Sequence, residues 1–144
     1  MKNSNKKGFT HVELVVVIAI IGVLAAILVP SMMGYVKKSR LKTANGNAKT
    51  AYNAIAEYLA EEETQGNLTN VDNDSCVSAA TSALAANGGD AGVVATDADG
   101  VAGNVNFVWH TQWIKTNGDE IVGQYPDAPA NVAASEAMTF GQFA

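Results

Sequence analysis

The side chains that could perform chemistry are few and lie far apart in the sequence. His11 precedes a long apolar run and His110 lies in a predicted strand, and neither has a cysteine, a serine nucleophile motif or a paired acid beside it. A catalytic triad needs all of its members within hydrogen-bond reach. Cys76 is the single cysteine, so we predict no disulfide within the chain, no cysteine-rich metal site and a buried thiol. The sequence therefore predicts that the protein is not an enzyme.

Two acidic segments resemble fragments of a calcium-binding loop. One runs from Asp72 to Asp74, and the other contains Asp97, Asp99 and Gly100. Neither is followed by the acid that binds calcium through both carboxylate oxygens in a complete EF-hand loop. We therefore predict turns at both positions, and neither a metal nor a cofactor.

The charged residues divide the chain into a basic N-terminal part and an acidic C-terminal part. Eight of the nine Lys and Arg residues lie at or before Lys49, and thirteen of the fourteen acids follow residue 50. The acidic part has only Lys115 as a cation, which argues against binding of a phosphate backbone there. The basic cluster from Lys37 to Lys42 could bind DNA, but a membrane surface or the acids of a neighbouring molecule is the favoured partner.

An uncharged, mostly apolar segment of 23 residues runs from Leu14 to Val36. As a helix it would extend roughly 34 Å, enough to cross a hydrocarbon core of about 30 Å. It could be a signal peptide cut after Ala25, a permanent anchor, or a segment cut before the run. Glu13 at its edge is unusual for a signal peptide, and lysines on both sides leave the topology undecided.

The segment from Lys7 to Leu14, Lys-Gly-Phe-Thr-His-Val-Glu-Leu, resembles the class III signal of type IV pilins. The resemblance covers about 28 residues, from the leader to Tyr35, and His11 departs from it because the family usually has an aliphatic residue there. It implies that residues 1–8 are a leader, that prepilin peptidase cleaves between Gly8 and Phe9, and that Phe9 is N-methylated. It also implies an assembly role for Glu13. Two further matching positions, where the helix would loosen in a filament, are Gly22 and Pro30.

The resemblance implies a structural subunit, a major pilin, that polymerises through its N-terminal helix. Its partners would be other pilin subunits, the prepilin peptidase and methyltransferase, the assembly platform with its ATPase, and the membrane before assembly. The precursor would cross the cytoplasmic membrane once and then enter an extracellular pilus that supports adhesion, motility or DNA uptake. The alternatives are a pseudopilin of a secretion or competence system, some of which bind calcium, and a membrane-tethered module that binds surface polysaccharide through Trp109 and Trp113.

The expected fold is α+β, with a long helix packed on a small antiparallel sheet. Apolar residues at steps of three and four continue the helix to about Glu63, with residues 9–36 as the membrane and filament-core half and 37–63 as the amphipathic half. Residues 64–144 form the predicted head. Its expected elements are a short helix at 76–86 capped by Ser75, and β-like segments at 93–96, from 101–108 on to 115, at 120–125 and at 137–143.

Alternation along the second β-like segment places three aromatic side chains on one face, Phe107, Trp109 and Trp113. An exposed aromatic strip could bind a ligand. The favoured interpretation is that these side chains pack on the helix at Ile55 and Leu59, because a small head has few other large residues for its core.

Overall fold

The computed structural model describes residues 8–88, 91–98 and 108–143. The chain divides into two compact units, Met1–Val36 and Lys37–Ala144. Several predictions fall outside the described residues: the leader up to Lys7, the turn residues Asp99 and Gly100, and the part of the second β-like segment that contains Phe107.

The longest element is helix α1, His11–Gln65. It begins two residues after the predicted start and ends two residues after the predicted end. The end has a defined cause, because Gly66 adopts a positive φ of 77° and the Asn67 amide donates to the Glu62 carbonyl at 2.9 Å. This is the arrangement in which a glycine with a left-handed conformation closes a helix and occupies one of its last carbonyls.

Within the second unit, α1 buries one face that the spacing of its apolar residues predicted. The buried residues are Leu41, Ala44, Ala48, Ala51, Ile55 and Leu59. They recur at steps of three and four, so they form a single stripe along the helix. The core that covers this stripe includes Val71, Cys76, Leu84, Val94 and Ile121.

Helix α2 spans Asn73–Ala86. The prediction that Ser75 caps it was wrong, because Asp72 is the N-cap and its carboxylate accepts a hydrogen bond from the Ser75 amide at 2.8 Å. Aspartate at an N-cap satisfies one of the amides that a helix start leaves without a partner. The first acidic segment thus starts α2, so the prediction of a turn at this position was wrong. Two of its side chains, Cys76 and Ala80, are fully buried.

The sheet has three antiparallel strands in the order β1, β2, β3: Val93–Thr96, Thr111–Ile114 and Gly123–Tyr125. The first strand has the predicted bounds, and the other two are shorter than predicted. Val94 pairs with Trp113, and Trp113 pairs with Gly123. Together with α1, this sheet confirms the predicted α+β arrangement.

The predicted strand at 137–143 was wrong. The chain forms a short helix, α3, at Val132–Glu136, and the residues after it form turns. Asn131 starts α3 by accepting a hydrogen bond from the Ala134 amide at 2.8 Å. Gly141 has a positive φ of 85°, and its amide donates to the buried side chain of Gln112 at 2.7 Å. The segment is therefore held by a side chain and not by a strand ladder.

Gly123 lets the sheet approach α1 closely. A Cβ atom at this position would overlap the backbone of Ala44 and Asn45. The Asn45 side chain accepts a hydrogen bond from the Gln124 amide at 3.2 Å and donates to the Pro129 carbonyl at 3.3 Å. These contacts attach β3 and the loop after it to the helix.

Candidate processing and assembly site

The predicted cleavage junction lies just before α1. Gly8 and Phe9 are exposed and belong to neither a helix nor a strand, and the Phe9 residue is 83% exposed. A Cβ atom built on Gly8 would meet nothing within 4 Å. The fold therefore does not require a glycine at this position.

Glu13 takes part in a reciprocal cap at the start of α1. The Thr10 amide donates to Glu13 Oε2 at 3.3 Å, and the Glu13 amide donates to Thr10 Oγ1 at 3.2 Å. This is a capping box, which satisfies two amides at the start of a helix and places a negative charge near the positive end of its dipole. It was not predicted, although Thr10-x-x-Glu13 is its sequence signature. Glu13 consequently has a polar contact in its own chain, but no cation pairs with it among the described residues.

The apolar part of α1 leaves its side chains exposed on every side. Ile18, Leu24 and Ile27 are each more than half exposed, and no residue of this run is buried in the described part of the chain. The helix is long enough and apolar enough to cross a membrane. A helix with no polar face must be surrounded by lipid or by other apolar surfaces.

Gly22 and Pro30 lie inside α1, which is continuous through both positions. Pro30 has no amide hydrogen, so the carbonyl of Ala26 lacks the helical hydrogen bond that this residue would otherwise receive. A Cβ atom on Gly22 would meet nothing within 4 Å. Loosening of the helix in a filament stays a prediction.

Two cations of the basic cluster bind acids of their own chain. Lys37 Nζ lies 3.0 Å from Glu136 Oε1, and Arg40 Nη2 lies 2.8 Å from Asp119 Oδ2. The expectation of an external partner therefore does not hold for these two residues. Lys38 is exposed and has no ion-pair partner in the described ranges.

The two tryptophans are buried, as the alternation of the strand predicted. Trp109 is 7% exposed and stacks on Tyr52 with ring centroids 3.8 Å apart, and Trp113 is 4% exposed. The indole nitrogen of Trp113 donates to the Ala91 carbonyl at 3.0 Å. Both rings belong to the core cluster that contains Ile55. They do not form an exposed aromatic strip.

His110 has acid neighbours that its sequence position did not indicate. Its Nε2 atom lies 3.0 Å from Asp127 Oδ2, and its Nδ1 atom lies 3.8 Å from Asp97 Oδ2. The Asp97 carboxylate also accepts a hydrogen bond from the His110 amide at 2.6 Å. Asp97 of the second acidic segment thus joins the residue after β1 to the residue before β2. Among the described residues, no three His, Cys, Asp or Glu side chains are grouped so as to hold a metal ion.

Residues 3–29 match the family model described as the prokaryotic N-terminal methylation motif. The chain is 35% identical over 68 residues to the type IV major pilin protein PilA of Myxococcus xanthus (strain DK1622), which covers 47% of this chain and 31% of the relative. It is 44% identical over 57 residues to the fimbrial protein EcpC of Eikenella corrodens, and the match covers 40% of this chain and 37% of that relative. It is 42% identical over 59 residues to the type IV major alpha-pilin of Moraxella bovis, and the match covers 41% of this chain and 37% of that relative.

The matches thus cover between 31% and 37% of the length of these three relatives. No solved structure matches the chain significantly. The N-terminal part of this chain therefore matches the methylation motif and the N-terminal parts of type IV pilins, which confirms the resemblance to a prepilin-like protein with a class III signal.

Proposed function

We propose that the chain is the major structural subunit of a type IV pilus. The observation that carries the proposal is the exposed apolar part of α1, most of which lies within the matched methylation motif. In a soluble enzyme or binding module such a helix would stay in contact with water, whereas a filament surrounds it with equivalent helices from other copies. The pilin relatives support the same conclusion.

The first step of the proposed mechanism is cleavage of the Gly8–Phe9 peptide bond by a prepilin peptidase. Water adds across the bond, so Gly8 leaves with a carboxylate and Phe9 gains a free amine, which is then methylated. Both residues are exposed, and the space around Gly8 is open. A glycine that the fold does not require is consistent with a requirement imposed by a peptidase that approaches the backbone closely.

Before assembly, the precursor crosses the cytoplasmic membrane once through α1. The assembly platform, driven by a cytoplasmic ATPase, then moves the helix from lipid into a bundle of pilin helices. Contact with lipid is exchanged for contact with apolar side chains, so the hydrophobic free energy changes little. Loosening at Gly22 and Pro30 would let the helix adapt to its neighbours in the bundle.

Glu13 fixes the register of this bundle. An ionised acid at the centre of a membrane helix costs at least about 2.5 kcal/mol on insertion scales. Glu13 lies at the edge of the apolar run in the precursor, but apolar helices would surround it in the bundle, so its charge favours a cationic partner there. The capping box occupies one carboxylate oxygen with an uncharged donor. The free amine of Phe9 in a neighbouring subunit is the cation that cleavage creates. Pairing between this amine and Glu13 would select one axial position, while apolar contacts supply most of the adhesion.

The N-terminus of the protein isolated from its host tests the processing step. Intact mass and N-terminal sequencing should show a chain that begins at Phe9 and carries one methyl group. A start at Ala26 would show ordinary signal-peptide cleavage, and retention of Met1 would show an uncleaved anchor. Either of these two results would refute the proposed processing.

Three variants separate the two roles of Glu13. Glu13→Leu removes both the charge and the cap, Glu13→Gln keeps a capping oxygen without the charge, and Thr10→Val removes the capping hydroxyl but keeps the charge. We expect the two Glu13 variants to accumulate in the membrane with a folded head and to form few pili when no wild-type subunit is present. Thr10→Val should form pili. Normal pilus numbers with Glu13→Gln would refute the role of the charge.

A pseudopilin that forms a short rod is the second candidate, because it would share the same N-terminal chemistry. Long surface filaments labelled by an antibody to the head would support the major pilin, and their absence would support the pseudopilin. The tethered polysaccharide-binding module has less support, because Trp109 and Trp113 are buried. Surface ligands and the choice between adhesion, motility and DNA uptake are to be tested with a strain that lacks the chain.

A further inference from the structure

Three exposed lysines line one side of α1 in the second unit: Lys38, Lys42 and Lys49. At about 100° per residue they lie within about 40° of one another around the helix axis, so we call them the basic stripe. Lys38 and Lys42 have no ion-pair partner in the part of the chain that the structure describes. Lys49 Nζ lies 5.6 Å from the centre of the Tyr125 ring. In the described residues, therefore, no acid neutralises the positive charge of the basic stripe.

Two exposed acids, Glu57 and Glu61, form a second charged surface further along α1, here called the acidic pair. They are one turn apart, and neither has a salt bridge within the described ranges. The acidic pair is rotated from the basic stripe by about 100° around the axis. The rise of the helix puts about 22 Å between the Cα atoms of Lys42 and Glu57. The two surfaces of one chain therefore cannot bind each other.

Both surfaces lie on the exposed side of the helix, one on each side of the line opposite its buried face. The acidic side continues towards the basic end as short polar side chains, Ser39, Thr43 and Thr50. Short side chains leave room for a lysine of another molecule to lie along the helix. Two different, complementary patches on one chain produce a head-to-tail contact, which repeats without closing when each copy is displaced along an axis.

We propose that the basic stripe of one copy binds the acidic pair of another copy displaced along α1 by about 22 Å, which is the rise of the 15 residues between Lys42 and Glu57. The proposal rests on the proposed function, and it assigns the surface by which the amphipathic halves of neighbouring subunits recognise each other. The complementary charges both belong to this chain, so a second copy supplies the partner without any further component.

A lipid surface fits the stripe less well than a second copy. The stripe runs along the helix axis for 11 residues, or about 16 Å, which is twice the Debye length of about 8 Å at physiological salt. Anionic headgroups near Lys38 would therefore act weakly on Lys49 if α1 enters the bilayer. A nucleic acid fits less well because the chain has a net charge of −5 and Glu57 and Glu61 would repel it.

Charge reversal with rescue tests the contact in a strain that makes only the variant subunit. Lys42→Glu alone and Glu57→Lys alone should each lower the number of pili per cell at least about tenfold, because like charges then face each other between copies. The double variant restores opposite charges and should recover pili to within about threefold of wild type. Glu63→Lys is the control, since it makes the same change on the same helix about 120° away from Glu57.

Cross-linking in intact filaments gives an independent measurement. A chain with Lys42→Cys and Glu57→Cys should form ladders of linked subunits with a short thiol-specific reagent. A link within one chain is excluded by the separation of about 22 Å. Cys76 is buried, and the variants Lys42→Cys alone and Glu57→Cys alone show how much Cys76 contributes to the cross-links. A chain with Lys42→Cys and Glu63→Cys should give no ladder.

Several results would overturn the proposed contact. Normal pilus numbers with both single reversals would refute it, and so would a double variant that forms as few pili as either single variant. Equal ladders from the Glu57 and Glu63 positions would also refute it. All three results would leave the pilin function intact. If Lys42→Glu left pilus numbers normal but abolished binding of the precursor to anionic vesicles, the basic stripe would be assigned to lipid and the proposed contact would be refuted. A wild-type strain without filaments would refute the proposed function and the contact together.

Discussion

The buried amide of Gln112 should contribute a large share of the stability of the head. Gln112 lies in β2 and is fully buried. Its Nε2 atom donates to Gln124 Oε1 and to the Gln142 carbonyl, both at 3.0 Å, and its Oε1 atom accepts from the Gly141 amide at 2.7 Å. One side chain therefore joins β2 to β3 and to the C-terminal segment.

The substitution Gln112→Met keeps most of the volume and removes all three hydrogen bonds. A lost hydrogen bond costs about 0.5 to 1.5 kcal/mol net, so three of them amount to about 2 to 4 kcal/mol. The Gly141 amide would also lose its acceptor, which favours the upper half of that range. At about 4 to 8 °C per kcal/mol for a unit of this size, the midpoint of thermal unfolding should fall by about 8 to 32 °C.

Thermal unfolding of the full-length chain in detergent measures this effect, with tryptophan fluorescence reporting on the core around Trp109 and Trp113. Gln142→Ala is the matched control, because Gln112 binds the backbone carbonyl of Gln142 and that side chain is exposed. The control should change stability by less than about 0.5 kcal/mol. A Gln112→Met variant as stable as the wild type would show that the three bonds contribute little, and so would equal losses in the two variants.

Three further predictions concern the head. Trp109→Ala should lower the free energy of unfolding by about 3 to 5 kcal/mol, as measured by urea denaturation, and a variant of unchanged stability would contradict its burial. Gly123→Ala should cost about 1 to 3 kcal/mol because of its overlap with α1, whereas Gly46→Ala on the exposed side of the helix should stabilise by up to about 1 kcal/mol; equal effects would contradict the close approach. Hydrogen bonds from the side chain and the amide of Ser75 lower the pKa of Asp72 below 3.8, so its stabilising effect should be full above pH 3.8 and lost as the pH falls through the lowered pKa. The difference in stability between wild type and Asp72→Ala should therefore shrink in acid, and a constant difference would contradict this linkage.

Local periodicity predicted α1 and its buried face because a helix repeats its environment every three or four residues. Leu41, Ala48 and Ile55 all face the core as their spacing indicated. The bounds of β1 were also predicted correctly. The exact helix end was not, because the apolar spacing ends near Glu63 and does not show where Gly66 closes the helix.

Contacts between distant parts of the chain could not be predicted in the same way. Lys37 and Glu136 are 99 residues apart, and Arg40 and Asp119 are 79 apart. Nothing in the composition of a basic cluster indicates which of its members will meet an acid of the folded head. Only the structure distinguishes these paired cations from Lys38, which has no ion-pair partner among the described residues, and the basic stripe is identified from that difference.

The proposed processing site was visible in the sequence for a physical reason that two glycines make clear. Gly123 is required by the fold, because a side chain there would overlap the backbone of Ala44, and this requirement depends on a contact 79 residues away along the chain. A Cβ atom on Gly8 would meet nothing within 4 Å among the described residues, so its surroundings there impose no such requirement. A site that another molecule reads along an exposed segment has all of its determinants close together in sequence. This is why Gly8, Phe9 and Glu13 form a recognisable motif, whereas the chemistry of the head emerges only when its chain is folded.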